Sequence, residues 1–146
     1  MVETASLVEN VTRKRALDAL REARRHYPEA TVKSEISNGR GIITILQDRY
    51  VLSKEFVESD EGLDSPHRMA EYGRVLMGKA RLVVIVPQEH AVKARKRLLE
   101  FNNWWLFYYQ VFYYDGNCCI RRMDREAWCK MTGRPYEGPP RAPEIS

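Results

Sequence analysis

Apolar and charged positions change character sharply between Gly39 and Val57. Ile42, Ile43, Ile45 and Leu46 form a nearly continuous apolar run, the pattern of a strand covered on both faces, opened by Gly39-Arg40-Gly41. A tight polar turn at Gln47-Asp48-Arg49 leads into a second strand from Tyr50 to Val57. That strand carries Lys54 and Glu55 in consecutive positions, so the two side chains point to opposite faces and only one can address a given site.

The pattern on either side predicts the remaining elements. Ser6 and Glu9 have capping-box spacing, and Leu7, Val8, Val11, Leu17, Leu20 and Tyr27 can line one side of a long first helix ending before Pro28. The other side is basic, with Arg13, Lys14, Arg15, Arg21, Arg24 and Arg25. A short strand from Thr31 to Ile36 turns through Ser37-Asn38-Gly39 into the hairpin. After Val57 comes an acidic loop from Glu58 to Gly62, then Ser65 as a cap and Pro66 in the first turn of a second helix that stops before Gly78. Met69, Tyr72, Val75 and Leu76 share one face of that helix. The uninterrupted run from Arg81 to Val86 predicts a buried strand of the parallel kind, ended by Pro87. A third helix spans about Glu89 to Phe101, with Lys93, Arg95, Lys96 and Arg97 outward and Asn102-Asn103 at its C-terminal cap.

From Trp104 to Tyr114 the chain is strongly aromatic and predicts a fifth strand, with a hairpin return through Cys118 to Ile120. Such a strand is either central, packed in the core on both faces, or an edge strand whose outer face is a surface for self-association or base stacking; a homodimer through residues 104–114 is one expectation. A short helix from Asp124 to Met131 precedes a tail rich in proline and glycine. The expected organisation is one domain over residues 1–132 and a tail over 133–146.

Composition narrows the class without naming it. The 146 residues are 44% hydrophobic and 30% charged, and no apolar run approaches the ~20 residues of a membrane span. The N-terminal segment has no secretory pattern, and three cysteines, two of them adjacent, are a poor disulfide framework, so a cytoplasmic location is expected. A net charge of +4 allows a polyanionic partner without demanding one. Cys118, Cys119, Cys129 and His90 lack the paired spacing of a structural zinc site, and Gly39-Arg40-Gly41 does not lead into a helix, which excludes a phosphate-cradling loop.

The element order is helix, three strands, helix, strand, helix, strand. With Gly39-Arg40-Gly41 before the second strand, Glu55 near the end of the third, His67-Arg-Met-Ala-Glu-Tyr72 on the next helix and the buried strand Leu82 to Val86 followed by Pro87-Gln-Glu-His-Ala91, it resembles the PD-(D/E)XK nuclease superfamily, in its Holliday-junction-resolvase and Mrr-like branches, over roughly Val11 to Ile120. The resemblance implies an α/β, restriction-endonuclease-like three-layer core with a mixed central sheet. It also implies a site in which two carboxylates at adjacent strand ends hold Mg²⁺ beside a lysine that assists attack on phosphate.

That motif is broken here. Thr44 stands where the resemblance places the aspartate, and Val57 stands where it places the lysine. Glu55, Asp48, Lys54 and Glu22 are the candidate catalytic residues, with Asp48 and Glu55 as metal ligands if the site is active; a site built from Asp48 and Lys54 would need a bulge or a shifted register. Arg40, Arg21, Arg24, Arg25, Lys93 and Lys96 are the candidate nucleic-acid contacts. The expectation is a catalytically degenerate nuclease-like protein that associates with DNA or RNA and requires no cofactor. The alternatives are an active Mg²⁺-dependent DNA endonuclease and a dimerisation module without nucleic-acid binding.

Overall fold

The computed structural model describes residues 4–59, 65–101 and 108–136. Within them four helices and six strands build an α/β structure around one mixed sheet: α1 Thr4–Ala23, β1 Thr31–Ser37, β2 Arg40–Gln47, β3 Tyr50–Val57, α2 Pro66–Met77, β4 Arg81–Pro87, α3 Ala91–Leu98, β5 Tyr109–Tyr114, β6 Ile120–Arg122 and α4 Arg125–Thr132. A 3₁₀ turn, Gln88–His90, leads into α3. The strands lie in sequence order, β1 to β6. β1, β2 and β3 form an antiparallel meander, β4 and β5 continue parallel to β3, and β6 returns antiparallel. The parallel pairings follow from their connections, because α2 and α3 each carry the chain back across the sheet.

Local chemistry sets the turns and caps. Asn38 and Gly39, at φ 52° and 77°, make the two-residue turn between β1 and β2, a backbone that asparagine and glycine tolerate best. The β2–β3 turn has Asp48 at φ 54°, another residue that accepts the left-handed region. Ser65 accepts from the His67 amide at 3.2 Å and Pro66 takes the first helical position of α2, as the sequence predicts. Asp124 caps α4 through the Ala127 amide, and Gly133 closes it at φ 72°.

Helices cover both faces of the sheet. α2, α3 and α4 pack on one face around Phe56, Tyr72, Leu82, Val84 and Val111. α1 packs on the other around Val8, Val11, Ile43, Val83 and Ile85. The inward side of α1 differs from the expected one: Ala16 and Ala19 are buried, whereas Leu17 is 61% exposed. Small residues are needed because this helix lies very close to β2. A Cβ on Gly41 would sit 1.9 Å from Thr12 Oγ1 and 2.9 Å from Thr12 Cβ, so only glycine fits there. α1 also begins before Ser6, which places that residue inside the helix rather than at its cap, and it ends at Ala23, earlier than Pro28 implies.

The aromatic segment is interior to the sheet where it is described. β5 is paired on both sides, and Tyr109, Val111 and Tyr114 are buried, so this stretch offers no free edge. Residues 104–107 lie outside the described residues, as do Asn102-Asn103 and the tail from 137. Among the described residues, no helix is long and apolar enough to cross a membrane.

Gly41→Ala is expected to cost about 1–3 kcal/mol and lower the melting temperature by roughly 3–10 °C, read by circular dichroism. Adding Thr12→Ala removes the hydroxyl and methyl clashes but not the Cβ contact, so it restores part of the loss. An unchanged melting temperature in Gly41→Ala would show that α1 does not rest on β2 at this point.

Candidate functional site

β3 alternates as its spacing requires, and its two central charges part company. Glu55 faces α1 and is 2% exposed. Lys54 faces the opposite layer, with its Nζ 6.0 Å from the Phe56 ring centroid. Glu55 meets Arg15, which reaches in from α1 with Nε 2.6 Å from Oε1 and Nη2 3.1 Å from Oε2. Two turns further along α1, Glu22 accepts from the same guanidinium, with Nη1 3.2 Å from Oε1 and Nη2 3.1 Å from Oε2. The Phe112 ring lies against the guanidinium, 4.4 Å from its carbon to the centroid. Arg15 is thus a buried cation gripped by two carboxylates.

Burial opposes ionisation of both Arg15 and Glu55; it holds the Glu55 carboxyl above its ordinary value, the bidentate contact with Arg15 offsetting this only in part. Burial alone would lower the Arg15 pKa, but hydrogen bonds and charge from Glu55 and then Glu22 hold it above its ordinary value. A cleft of about 150 Å³ opens beside this group, lined by Arg15, Glu22, His26, Ser53, Glu55 and Arg81.

A second network lies on the other face. Arg40 donates to Glu58 from Nε at 2.8 Å and from Nη2 at 2.9 Å, and also to Glu71, while its guanidinium stacks 4.5 Å from the Phe56 centroid. The Tyr72 hydroxyl donates to Glu58 as well, and Arg68 Nε stands 3.4 Å from the same carboxylate. Burial, reinforced by the adjacent Glu58 carboxylate, raises the Tyr72 pKa well above its usual value and keeps it a donor. The Tyr114 hydroxyl donates to the Glu58 carbonyl at 2.6 Å. Glu58 is therefore no part of a solvated acidic loop: it is fully buried and ties the end of β3 to α2 and β5.

Of the candidate catalytic residues, Glu22 and Glu55 converge, through Arg15. Asp48 sits in the β2–β3 turn, and Glu55 lies five residues past Tyr50 along β3, about 17 Å at ~3.4 Å per residue. A register shift does occur in this hairpin, between Ile45 and Leu46. It falls on the turn side of the motif positions, leaving Thr44 opposite Lys54 and Ile43 opposite Glu55, so it does not bring Lys54 to the Glu55 face. Val57 is buried in the core under α1.

The candidate nucleic-acid contacts divide. Arg40 is 4% exposed and committed to Glu58 and Glu71, so it has no face for a phosphate, a correction with a plain cause in its partners. Arg21 is exposed on α1, 3.8 Å from Asp18, and in the turn after α1 Arg25 is exposed while Arg24 donates to the Ala30 carbonyl at 3.1 Å. Lys93 and Lys96 are exposed on α3, in the opposite layer. Among the described residues no cluster of three or more histidine, cysteine, aspartate or glutamate side chains could hold a metal ion, and the three cysteines are free thiols.

Arg15 and Glu58 are the residues that sequence reasoning misplaced. Arg15 stands seven residues after Val8 and four after Val11, a spacing that sets it on the buried stripe rather than the basic face. No family model, curated protein or solved structure matches this chain.

Glu55→Ala leaves a buried guanidinium with only a half-exposed partner and is expected to cost about 3–5 kcal/mol in urea unfolding. Glu22→Gln, at a side chain 50% exposed, should cost ~1 kcal/mol or less. Arg15→Leu combined with Glu55→Leu should recover much of the loss, because a buried pair exchanged for apolar groups is close to neutral. A cost below ~1 kcal/mol for Glu55→Ala would mean that this pair does not form.

Proposed function

We propose that this chain is a restriction-endonuclease-like domain that has exchanged metal-dependent catalysis for nucleic-acid association. The observation that carries the reading is the Arg15 guanidinium held between Glu22 and Glu55. In the nuclease arrangement that the sequence resembles, carboxylates at such positions hold Mg²⁺, and here a built-in cation meets them instead. The residues do not fit a divalent ion: a charge placed about 4 Å from the guanidinium is opposed by ~4 kcal/mol per unit at an effective dielectric of ~20. Thr44, taken from the sequence as the motif aspartate position, pairs with Lys54 and faces the other side of the sheet, so it contributes nothing here. Val57, at the position of the motif lysine, brings no charge to a scissile phosphate.

Further support comes from the element order α, β, β, β, α, β, α, β, on which the resemblance rests, and from exposed cations that remain outside the buried networks. Arg21 lies on α1 with Arg24 and Arg25 in the turn that follows it, and Lys93 and Lys96 lie on α3 across the sheet, so one nucleic-acid segment engages one layer rather than both. Such binding is driven by release of counterions from phosphate and is strongly dependent on salt.

Purified protein is expected to leave duplex, branched and single-stranded DNA uncut with Mg²⁺ or Mn²⁺, while retarding DNA at low salt. Its log affinity should fall with log salt concentration with a slope of about −2 or steeper, two or more phosphates being neutralised. Metal-dependent cutting abolished by Glu55→Gln and Asp48→Ala in folded protein would overturn the inactive reading. No retention of any nucleic acid at low salt would overturn the association.

A further inference from the structure

On the face that carries α2, α3 and α4, the helices leave one end of the sheet open. α2 packs over β4, the Phe56 region of β3 and the Arg40–Ile42 start of β2, and among the described residues no helix has extensive contact with β1 or with the Thr44 end of β2 on this side. The register places Lys33, Thr44 and Lys54 in one row across β1, β2 and β3. Directly paired residues share a face, and Lys54 fixes which one, since its ammonium lies toward the Phe56 ring. Two lysines therefore stand on this open floor with a threonine between them, about 10 Å apart at ~4.8 Å per strand.

From Lys54 a groove of about 520 Å³ runs between the β2–β3 turn and α2, lined by Arg49, Tyr50, Val51 and Arg74 among others. Tyr50 is 75% exposed and Val51 44% exposed, large side chains left in water at the mouth of a basic trough. The acidic groups facing it are Glu35, opposite Ile42 on the same side of the sheet, and Glu71. Glu71 is already engaged by Arg40 and Arg68. None of Lys33, Arg49, Lys54 and Arg74 forms an ion pair among the described residues. The charges that the fold needs internally are matched, and these four are left over on one surface.

We infer that this open face is a binding groove for single-stranded nucleic acid, in which Lys33, Lys54, Arg49 and Arg74 meet backbone phosphates and an unpaired base stacks on Tyr50. The inference rests on the nucleic-acid reading above and names the surface and strand form. A positive trough with an aromatic side chain at its edge is the combination that holds single strands with little sequence preference, and stacking on Tyr50 requires a base free of its duplex partner. A merely anionic polymer would satisfy the cations and leave the tyrosine idle.

The test is fluorescence anisotropy with a short labelled oligothymidylate, over a salt series, with the matching duplex and polyglutamate as competitors. The single strand should bind more tightly than the duplex and resist polyglutamate. Tyr50→Ala should weaken it about tenfold. Lys33→Gln with Lys54→Gln should make the salt slope shallower by about 1.4, two phosphate contacts at ~0.7 each. Lys130→Gln, on α4 and away from the groove, should change nothing. These positions are exposed or half-buried, and an unchanged melting temperature certifies the fold. The groove is overturned if its variants bind like the parent protein while Arg21→Gln with Arg25→Gln, or Lys93→Gln with Lys96→Gln, lose affinity; nucleic-acid association then stands on another surface. It is also overturned if polyglutamate competes equally and Tyr50→Ala is silent. Absence of binding to either strand form removes both the groove and the association.

Discussion

Two carboxylates on and just beyond β3 have to be buried, and much of the structure is arranged to make that tolerable. Glu55 and Glu58 are three residues apart and enter opposite layers, and each would cost several kcal/mol if left unpaired in the interior. Arg15 answers the first from α1 and Arg40 answers the second from the start of β2. The two pairs hold α1 to one face and, with Tyr72 and Glu71, α2 to the other. They also specify the pairing of the hairpin, because a slip of one residue would exchange the faces of Glu55 and Lys54 and leave both guanidinium groups without partners.

The same arrangement directs the functional reading. Charges drawn inside are matched with bidentate geometry, and an arginine of the chain itself stands between Glu22 and Glu55. The cations that remain outward are unequal in context. Those of α1 and α3 lie on helix surfaces in opposite layers, whereas Lys33 and Lys54 stand on a sheet face beside an exposed tyrosine. A helix surface of solvated lysine and arginine is common in soluble proteins, and it is the row of lysines beside Tyr50 that the proposed groove uses.

The order of elements was legible because each carries an unambiguous local signal. The continuous apolar run from Leu82 to Val86 reads as a buried strand, Ser65-Pro66 reads as a helix start, and Lys54-Glu55 reads as a change of face. The site was harder to read, since burial of a charge depends on partners far away in the chain. Arg15 looks like one of six basic residues between Arg13 and Arg25 until its spacing from Val8 and Val11 is taken with Glu55 forty residues later. Glu58 looks like the first of several acidic loop residues, and nothing local announces Arg40 and Tyr72. Asp48 misled in the opposite direction: as a carboxylate near the motif it suggested a ligand, while its φ of 54° marks it as a turn former. The alanines of α1 were passed over for Leu17 because hydrophobicity does not reveal how near Gly41 lets the helix approach.

The central claim is that the Arg15 guanidinium takes the place of a divalent cation between Glu22 and Glu55. Diffraction from crystals equilibrated with Mn²⁺, recorded where manganese scatters anomalously, tests it at atomic level. The account predicts no anomalous peak in the cleft and a guanidinium still bonded to both carboxylates; a manganese peak between Glu22 and Glu55, with Arg15 turned aside, would contradict it.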